Sequence, residues 1–426
     1  MNADSIKIMS FLTYLLPVSL LTGPFLPDFL LVIVSLIFLF HAYSKNHFYY
    51  FKSKFFLIFL FFYIYIVFNS LFSEFSNFSL KSSLIYIRYG IFTLAIWFLL
   101  DNKKNFKEYF FYSILFAFSL ALIDGYFQYI FKISIFGYDA ATHNRLNILY
   151  SNGWQLGSYL VRLFPLALAL AFYNLKPNKI NSILIILSWI LIDVLIYLSG
   201  ERSAIVLMIL SNLFIILLLK NFRVIRFFSF IIAIFTILMV TVYDSGVKSR
   251  NIDLTWNQIG MNQGNFNYFS YIHNGFVITG LNMFKDNPLF GIGVNNYRKL
   301  CNKKEYSYVN PMSTSAYVYE PCNTHPHNSY VQLLAETGII GIAFILFFGI
   351  YFFKLISIHI YYKIRNKIDL YIYSDYQICL VACFLITLWP IVPTMNFFNN
   401  WISILYFLPI GFYLNSIYSK KNINNI

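Results

Sequence analysis

His325 and His327 stand two residues apart in the run His325-Pro326-His327-Asn328-Ser329, immediately before a strongly apolar segment. Imidazole is the side chain whose ordinary pKa, about 6.5, suits proton exchange near neutral pH. Two histidines at this spacing, with no carboxylate or thiolate beside them, make a poor metal site. Nothing in the chain resembles the strained elbow of an activated serine. What remains is proton transfer at the border between a polar and an apolar stretch. Asn328 or Ser329 can cap the following helix, and Ser329 with Gln332 has the spacing of a capping box. The amino end of that helix disfavours the imidazolium form of His327, as a general base requires.

The elements that must position these residues are membrane helices. A chain of 426 residues that is 59% hydrophobic and 11% charged carries more apolar side chains than one soluble core absorbs. At about 20 residues for each crossing of about 30 Å of hydrocarbon, about twelve spans are expected. They fall near 8–22, 26–42, 55–72, 82–100, 109–131, 154–173, 181–198, 203 onward, 227–243, 329–353, up to 392, and 400–418. The first run lacks a small-residue cleavage site and reads as a retained helix. The organisation predicted is an N-terminal bundle over 1–243, one long loop over 244–328 and a C-terminal bundle over 329–426. There is no internal repeat.

The net charge of +14 is dispersed over short loops, which argues against nucleic acid as a partner. Lys45, Lys52 and Lys54, then Lys103, Lys104 and Lys107, then Lys220, Arg223 and Arg226, and later Lys363, Arg365 and Lys367 recur in alternate loops. By the positive-inside rule both termini are cytoplasmic and the 244–328 loop is external. Cys301 and Cys322 lie in that loop, where an oxidising compartment permits a disulfide, and they are expected to be bonded. Cys379 and Cys383 lie inside a predicted helix and read as packing residues.

Ionisable groups at membrane depth need partners or a wet cavity. Arg88 and Asp124 are expected to pair with each other, with contact to an anionic substrate as the other reading, and Arg162 and Asp193 can pair across facing helices. The 132–153 loop carries His143, Asn144 and Arg145. Glu201 and Arg202 sit at a hairpin tip, where Arg202 either snorkels to headgroups or binds a diphosphate at a helix amino end. Tyr268 to Phe284 has the spacing of a helix lying along a membrane surface. Asn287-Pro288 stops it, and Gly291 and Gly293 permit a tight turn with close backbone approach. Glu336 is expected to be hydrogen-bonded within the bundle, and Gly338 and Gly341 to admit a neighbouring helix.

His327-Asn328, nine residues, then Gly338-x-x-Gly341 resembles the pattern of bacterial O-antigen ligases. Asn287-Pro288-Leu289-Phe290-Gly291-Ile292-Gly293 and Gly200-Glu201-Arg202-Ser203-Ala204 are similar to two further blocks of the O-antigen ligase and polymerase superfamily. The resemblance, closest to the ligase branch, implies an inverting, metal-independent glycosyltransferase of the membrane-embedded C-type architecture, free of cofactors, in a bacterial inner membrane. It implies a polyprenyl-diphosphate-linked glycan as donor, and the lipid A core or a growing glycan as acceptor, at the periplasmic face. His327 would be the general base and Arg202 the diphosphate ligand, with His325, Asn328, and His273 or Arg298 supporting substrate binding. His273 stands where many members have a second arginine, so the second cation is left open between His273, Arg298 and another. The sister polymerase is the alternative, and a transporter lined by Arg88, Asp124, Arg162 and Asp193 is the reading from another class.

Overall fold

The computed structural model describes residues 2–138, 145–149, 153–175, 179–261, 266, 268–306, 322–367 and 370–423. His143 and Asn144 lie outside the described residues. The fold is all α, with no β-strand among the described residues. The first half comprises α1 (Asn2–Tyr14), α2 (Leu16–Ser19), α3 (Phe25–Ser44), α4 (Lys54–Leu71), α5 (Ser76–Leu84), α6 (Ile87–Asn102), α7 (Phe106–Phe131), α8 (Leu156–Asn174) and α9 (Lys179–Leu198). The second comprises α10 (Arg202–Leu218), α11 (Arg223–Tyr243), α12 (Ser245–Lys248), α13 (Leu254–Gln258), α14 (Tyr271–Asp286), α15 (Tyr297–Leu300), α16 (Ser329–Ile364), α17 (Asp375–Thr387) and α18 (Asn400–Ile423).

All twelve apolar runs are helical, and the chain is an integral membrane protein. Eight helical segments among the described residues are long and apolar enough to cross a bilayer, and those at 183–198, 202–218 and 375–387 are shorter. Two runs are split between helices: 8–22 breaks between α1 and α2, and 82–100 between α5 and α6. The run expected to continue to 392 leaves helix at Thr387. Pro390 and Pro393 follow, and proline removes a helical donor while disfavouring helix in the residue before it. The chain freed there, 388–399, crosses to the histidine segment.

The core is organised around α8, whose residues from Leu156 to Ala171 are all buried. It packs against α7, α9, α10 and α17, while α18 lies along α6. Apolar side chains of α11 and of the distal part of α16, among them Phe235, Leu238, Ile350 and Phe353, face outward, as lipid contact requires.

The pairing expected between intramembrane charges is corrected at both places. Arg88 bonds to Asp28 of α3 at 3.0 Å, while Asp124 accepts from Ser134 and from the Ile135 backbone. Asp193 pairs with Arg226 of α11 at 2.8 Å, both fully buried, with Asn212 bonded to both. Phe164 and Trp189 lie against the Arg226 guanidinium. Arg162 is left without a carboxylate partner among the described residues. The physical reason is that a helix with several neighbours can turn a charge to any of them: α9 packs on both α8 and α11, and Asp193 meets α11.

Two of the sequence blocks interlock. In α16 the backbone departs from helix at Gly338, with φ +63° and ψ −167°, a region in which essentially only glycine is unstrained. The kink frees carbonyls that the turn after α14 satisfies: Ile292 N–H donates to Ala335 and Gly293 N–H to Glu336, both at 2.9 Å. In return Ile339 N–H reaches the Pro288 carbonyl at 2.9 Å. Gly291, at φ +71°, lies so close to α16 that a Cβ there would sit 2.5 Å from the Glu336 carbonyl carbon. Asn69 and Tyr65 of α4 hold the assembly by bonds to the Phe290 and Thr337 carbonyls. The role at Gly341 is different: a Cβ there would meet the Thr337 side chain at 2.0 Å.

Candidate active site

The interlock fixes where α16 begins, and hence where the histidines stand. Asn328 caps α16, its side chain accepting from the Tyr330 and Val331 N–H groups at 3.0 and 3.1 Å. The capping box expected at Ser329 and Gln332 does not form. Ser329 bonds to Thr394, and Gln332 bonds to Glu336 and Asn396 instead. The Asn328 amide also donates to the Pro390 carbonyl at 2.7 Å. Asn328 is therefore committed to structure and does not line the cavity described below. Glu336 is fully buried and accepts from Gln332 at 3.0 Å and from the Tyr297 N–H at 3.3 Å.

His327 directly precedes the cap with φ +53°, a left-handed conformation uncommon for a non-glycine residue. Its carbonyl accepts from Thr394 N–H at 2.8 Å, which pins the conformation from the 388–399 crossover. Its ring lies against those of His325 and His273, with centroids 4.1 and 5.3 Å away, and against Phe276 at 5.4 Å. Asn323 Oδ1 accepts from Thr324 N–H at 2.6 Å, which orients the amide so that Nδ2 donates to His327 Nε2 at 3.1 Å. Nε2 of His327 is thus a lone-pair acceptor. Burial lowers the His327 pKa below its ordinary value, so the ring is neutral at pH 7.

His325 has a different part. Its Nε2 faces the Thr394 carbonyl at 3.1 Å and must donate, leaving Nδ1 to accept from the Thr324 hydroxyl at 2.9 Å. Burial pushes its pKa down to about 3, with His327 the next contribution. His273, in the first turn of α14, bonds through Nδ1 to the Ser270 hydroxyl at 2.6 Å. Its pKa falls to about 4, again mainly by burial, with His327 and Arg202 adding repulsion. At neutral pH His273 is uncharged and brings no second cation.

The three histidines open on a cavity of about 990 Å³ whose wall also includes Arg145, Arg162, Arg202, Arg250 and Arg298. Glu201 is the one carboxylate among its lining residues. Arg202 begins α10, and its guanidinium is aimed by Thr255 at 3.3 Å and Gln258 at 2.6 Å, both on α13. Arg250 donates to the Gly200 carbonyl at 3.2 Å, and Arg145 lies over the Trp154 ring. Burial and the neighbouring Arg145 and Arg202 lower the Arg250 pKa to about 10, which still leaves it charged. Glu201 ties the hairpin tip to the start of α8, accepting from Gly157 N–H at 2.7 Å and from the Ser158 hydroxyl at 2.7 Å. Arg162 follows one turn deeper, donating to the Ser158 carbonyl at 3.3 Å, with Nε buried and unpartnered.

Cys301 and Cys322 form a disulfide, which ties the segment leading to His325 and His327 onto α15. Cys379 and Cys383 are free and buried in α17. Among the described residues no group of three or more His, Cys, Asp or Glu side chains is arranged to hold a metal ion.

The structure thus brings His327, His325, His273, Arg202 and Arg298 to one cavity. It adds Arg145, Arg162 and Arg250, which sequence reasoning had not assigned to this site. The sequence places Arg145 only in a polar loop, and it offers Arg162 as a partner for Asp193 or as part of a transport path. Arg250 carried no signal beyond being a cation in the long loop.

A multi-pass helical membrane protein with a neutral imidazole cluster and a surplus of guanidinium groups around one cavity is equipped for proton transfer beside an anionic group. Consistent with that class, residues 185–346 match the model of the O-antigen ligase family, which supports placement in the O-antigen ligase and polymerase superfamily. The matched segment holds Arg202, Arg250, His273, Arg298, His325 and His327, and both interlocked blocks. No curated protein matches the chain.

Proposed function

We propose that this protein is an O-antigen ligase-like glycosyltransferase that moves a glycan from undecaprenyl diphosphate to a sugar of the lipid A core at the periplasmic face of the inner membrane. The observation that carries the reading is the shared cavity of His327 and Arg202, inside the segment that matches the ligase family. An acceptor hydroxyl takes the place of the Asn323 amide at His327 Nε2 and gives up its proton there. The hydroxyl oxygen bonds to the anomeric carbon from the side opposite the diphosphate. The carbon–oxygen bond to the diphosphate breaks, and its electron pair leaves with the phosphate oxygen. Arg202, Arg145 and Arg250 neutralise that charge in a site already arranged for it, which lowers the barrier without reorganisation. The stereochemical outcome is inversion. His325 acts through the Thr394 backbone, to which both it and His327 are bonded, and so positions the base.

The transporter reading loses its residues. Arg88, Asp124 and Asp193 are consumed in bonds to Asp28, to Ser134 and Ile135, and to Arg226, and Arg162 alone of the four lines the cavity.

The test is lipopolysaccharide profiling of a deletion strain complemented with wild type or His327→Ala. Loss of capped core with accumulated long lipid-linked glycan, restored only by wild type, is the expected result. A core capped by a single repeat would make the protein a polymerase. Wild-type capping by His327→Ala, with the variant inserted normally, would remove the proposed base.

A further inference from the structure

The cavity has two cationic poles, and the donor accounts for one of them. Arg202, Arg145 and Arg250 form the first, close enough that Arg145 and Arg202 each disfavour the charge on Arg250. Neither Arg298 nor the deeper Arg162 is among the charges that act on Arg250 or Arg202. The histidines sense the two poles separately: Arg202 acts on His273 and Arg298 on His325. A diphosphate diester, with about one negative charge on each phosphate, is outnumbered by the five arginines and single carboxylate of the wall. Arg162 is buried and the other four arginines are half-buried, so a surplus of cations with restricted access to water favours a second anion.

The surroundings of Arg298 differ in kind from those of Arg202. Its Nε is buried without a partner, and Nη2 makes one long bond, 3.5 Å, to Asn295 Oδ1. Asn295 is held by Ser82 at 2.8 Å and by Asn396 at 2.9 Å. Asn396 is fixed in turn by Gln332, which joins the buried Glu336 of α16. Ser82, Asn295 and Asn396 all line the cavity. Amides and a hydroxyl at fixed positions around an underused guanidinium suit a saccharide carrying a negative group. In an in-line displacement the incoming hydroxyl approaches from the side away from the leaving diphosphate, and Arg298 is held by a different set of partners, Asn295 and its neighbours, from the Thr255 and Gln258 that aim Arg202.

We infer that Arg298, with Asn295 and Asn396, forms an acceptor subsite that recognises a phosphate or carboxylate substituent on the acceptor saccharide. The inference rests on the proposed transferase reading for its assignment to the acceptor.

The experiment uses the full-length protein in nanodiscs and two probes measured separately: undecaprenyl diphosphate without a glycan, and soluble core oligosaccharide from lipopolysaccharide. Arg298→Gln is expected to weaken oligosaccharide binding at least tenfold and to change undecaprenyl diphosphate binding less than twofold. Arg250→Gln should do the reverse, and Arg298→Lys should recover part of the oligosaccharide affinity. Phosphatase-treated and carboxyl-reduced oligosaccharides then identify the group: the treatment that erases the difference between wild type and Arg298→Gln removed it. Equal loss of both probes in Arg298→Gln, or no loss of oligosaccharide in that variant, would overturn the subsite. Wild type that binds the oligosaccharide through Arg298 but never binds undecaprenyl diphosphate would keep the subsite and sink the transferase reading.

Discussion

Replacing Gly338 by alanine tests the interlock between α16 and the turn after α14. The backbone at 338 has φ +63°, and holding an alanine there costs on the order of 1–3 kcal/mol. The added Cβ would lie 2.2 Å from the Leu289 oxygen and 2.4 Å from its carbonyl carbon. Both are backbone atoms and cannot rotate away. Relief requires the 287–293 turn to separate from α16, which breaks the bonds from Ile292, Gly293 and Ile339. At roughly 0.5–1.5 kcal/mol each, those three bonds and the strain together give a loss of about 2.5–7.5 kcal/mol. Two further glycines supply the scale. Gly341→Ala presses on both the Oγ1 and the Cβ of Thr337, and the Cβ, fixed to the helix backbone, cannot rotate away, so the overpacking costs about 3 kcal/mol or more. Gly349→Ala meets no atom within 4 Å and should stabilise the helix by up to about 1 kcal/mol. Unfolding free energies from detergent titration of purified protein give the ranking, and transfer activity gives a second reading. A shift of about 1 Å at the start of α16 would cost about a hundredfold in rate. Should Gly338→Ala prove as stable as Gly349→Ala, the two blocks are not locked together as described.

The pH–rate profile should show its acidic limb below pH 6.5, because burial lowers the His327 pKa and keeps the base free in moderately acidic solution; a limb above 6.5 contradicts the assignment. Folding stability should decline as pH falls from about 6.5 toward 4. Across that window the unfolded chain takes up protons that His273 and His325, held down to about 4 and about 3, refuse in the folded state. His325→Gln should flatten that slope when chemical unfolding is followed across the same range. In a Cys379→Ala/Cys383→Ala background, purified protein should take up no alkylating reagent until reduced, and then label at Cys301 and Cys322. Reduction should also slow transfer, since the bridge anchors the segment bearing His325 and His327; immediate labelling would show the bridge absent.

Periodicity and punctuation made the helices legible, down to the stop at Asn287-Pro288 and the turn at Gly291 and Gly293. The proximity of His325 and His327 to a helix start was equally readable, because it is local. Long-range partners were not. The spacing of Arg162 and Asp193 was compatible with a facing pair, yet α11 delivers Arg226 to Asp193, and only packing decides which helix arrives. Arg145 and Arg250 approach Arg202 from segments far away in sequence, so no local pattern placed them there. The capping box at Ser329 failed for a similar reason: Thr394, Asn396 and Glu336 compete for those side chains once the chain folds back. His273, read as a possible second cation, is neutral because its burial depends on Phe276 and the other imidazoles packed around it.

The Asp193–Arg226 pair has a bearing on how the chain enters the bilayer during synthesis. Asp193 emerges from the ribosome well before Arg226, and an unpaired aspartate disfavours insertion, by about 2.5–3.5 kcal/mol at the centre of a span and by less at the position of Asp193, nearer the end of α9. The intervening hairpin supplies Asn212 but no compensating cation in its apolar interior. α9 is therefore a poor autonomous anchor, and α9, α10 and α11 partition into lipid as a triplet that becomes secure when the guanidinium arrives.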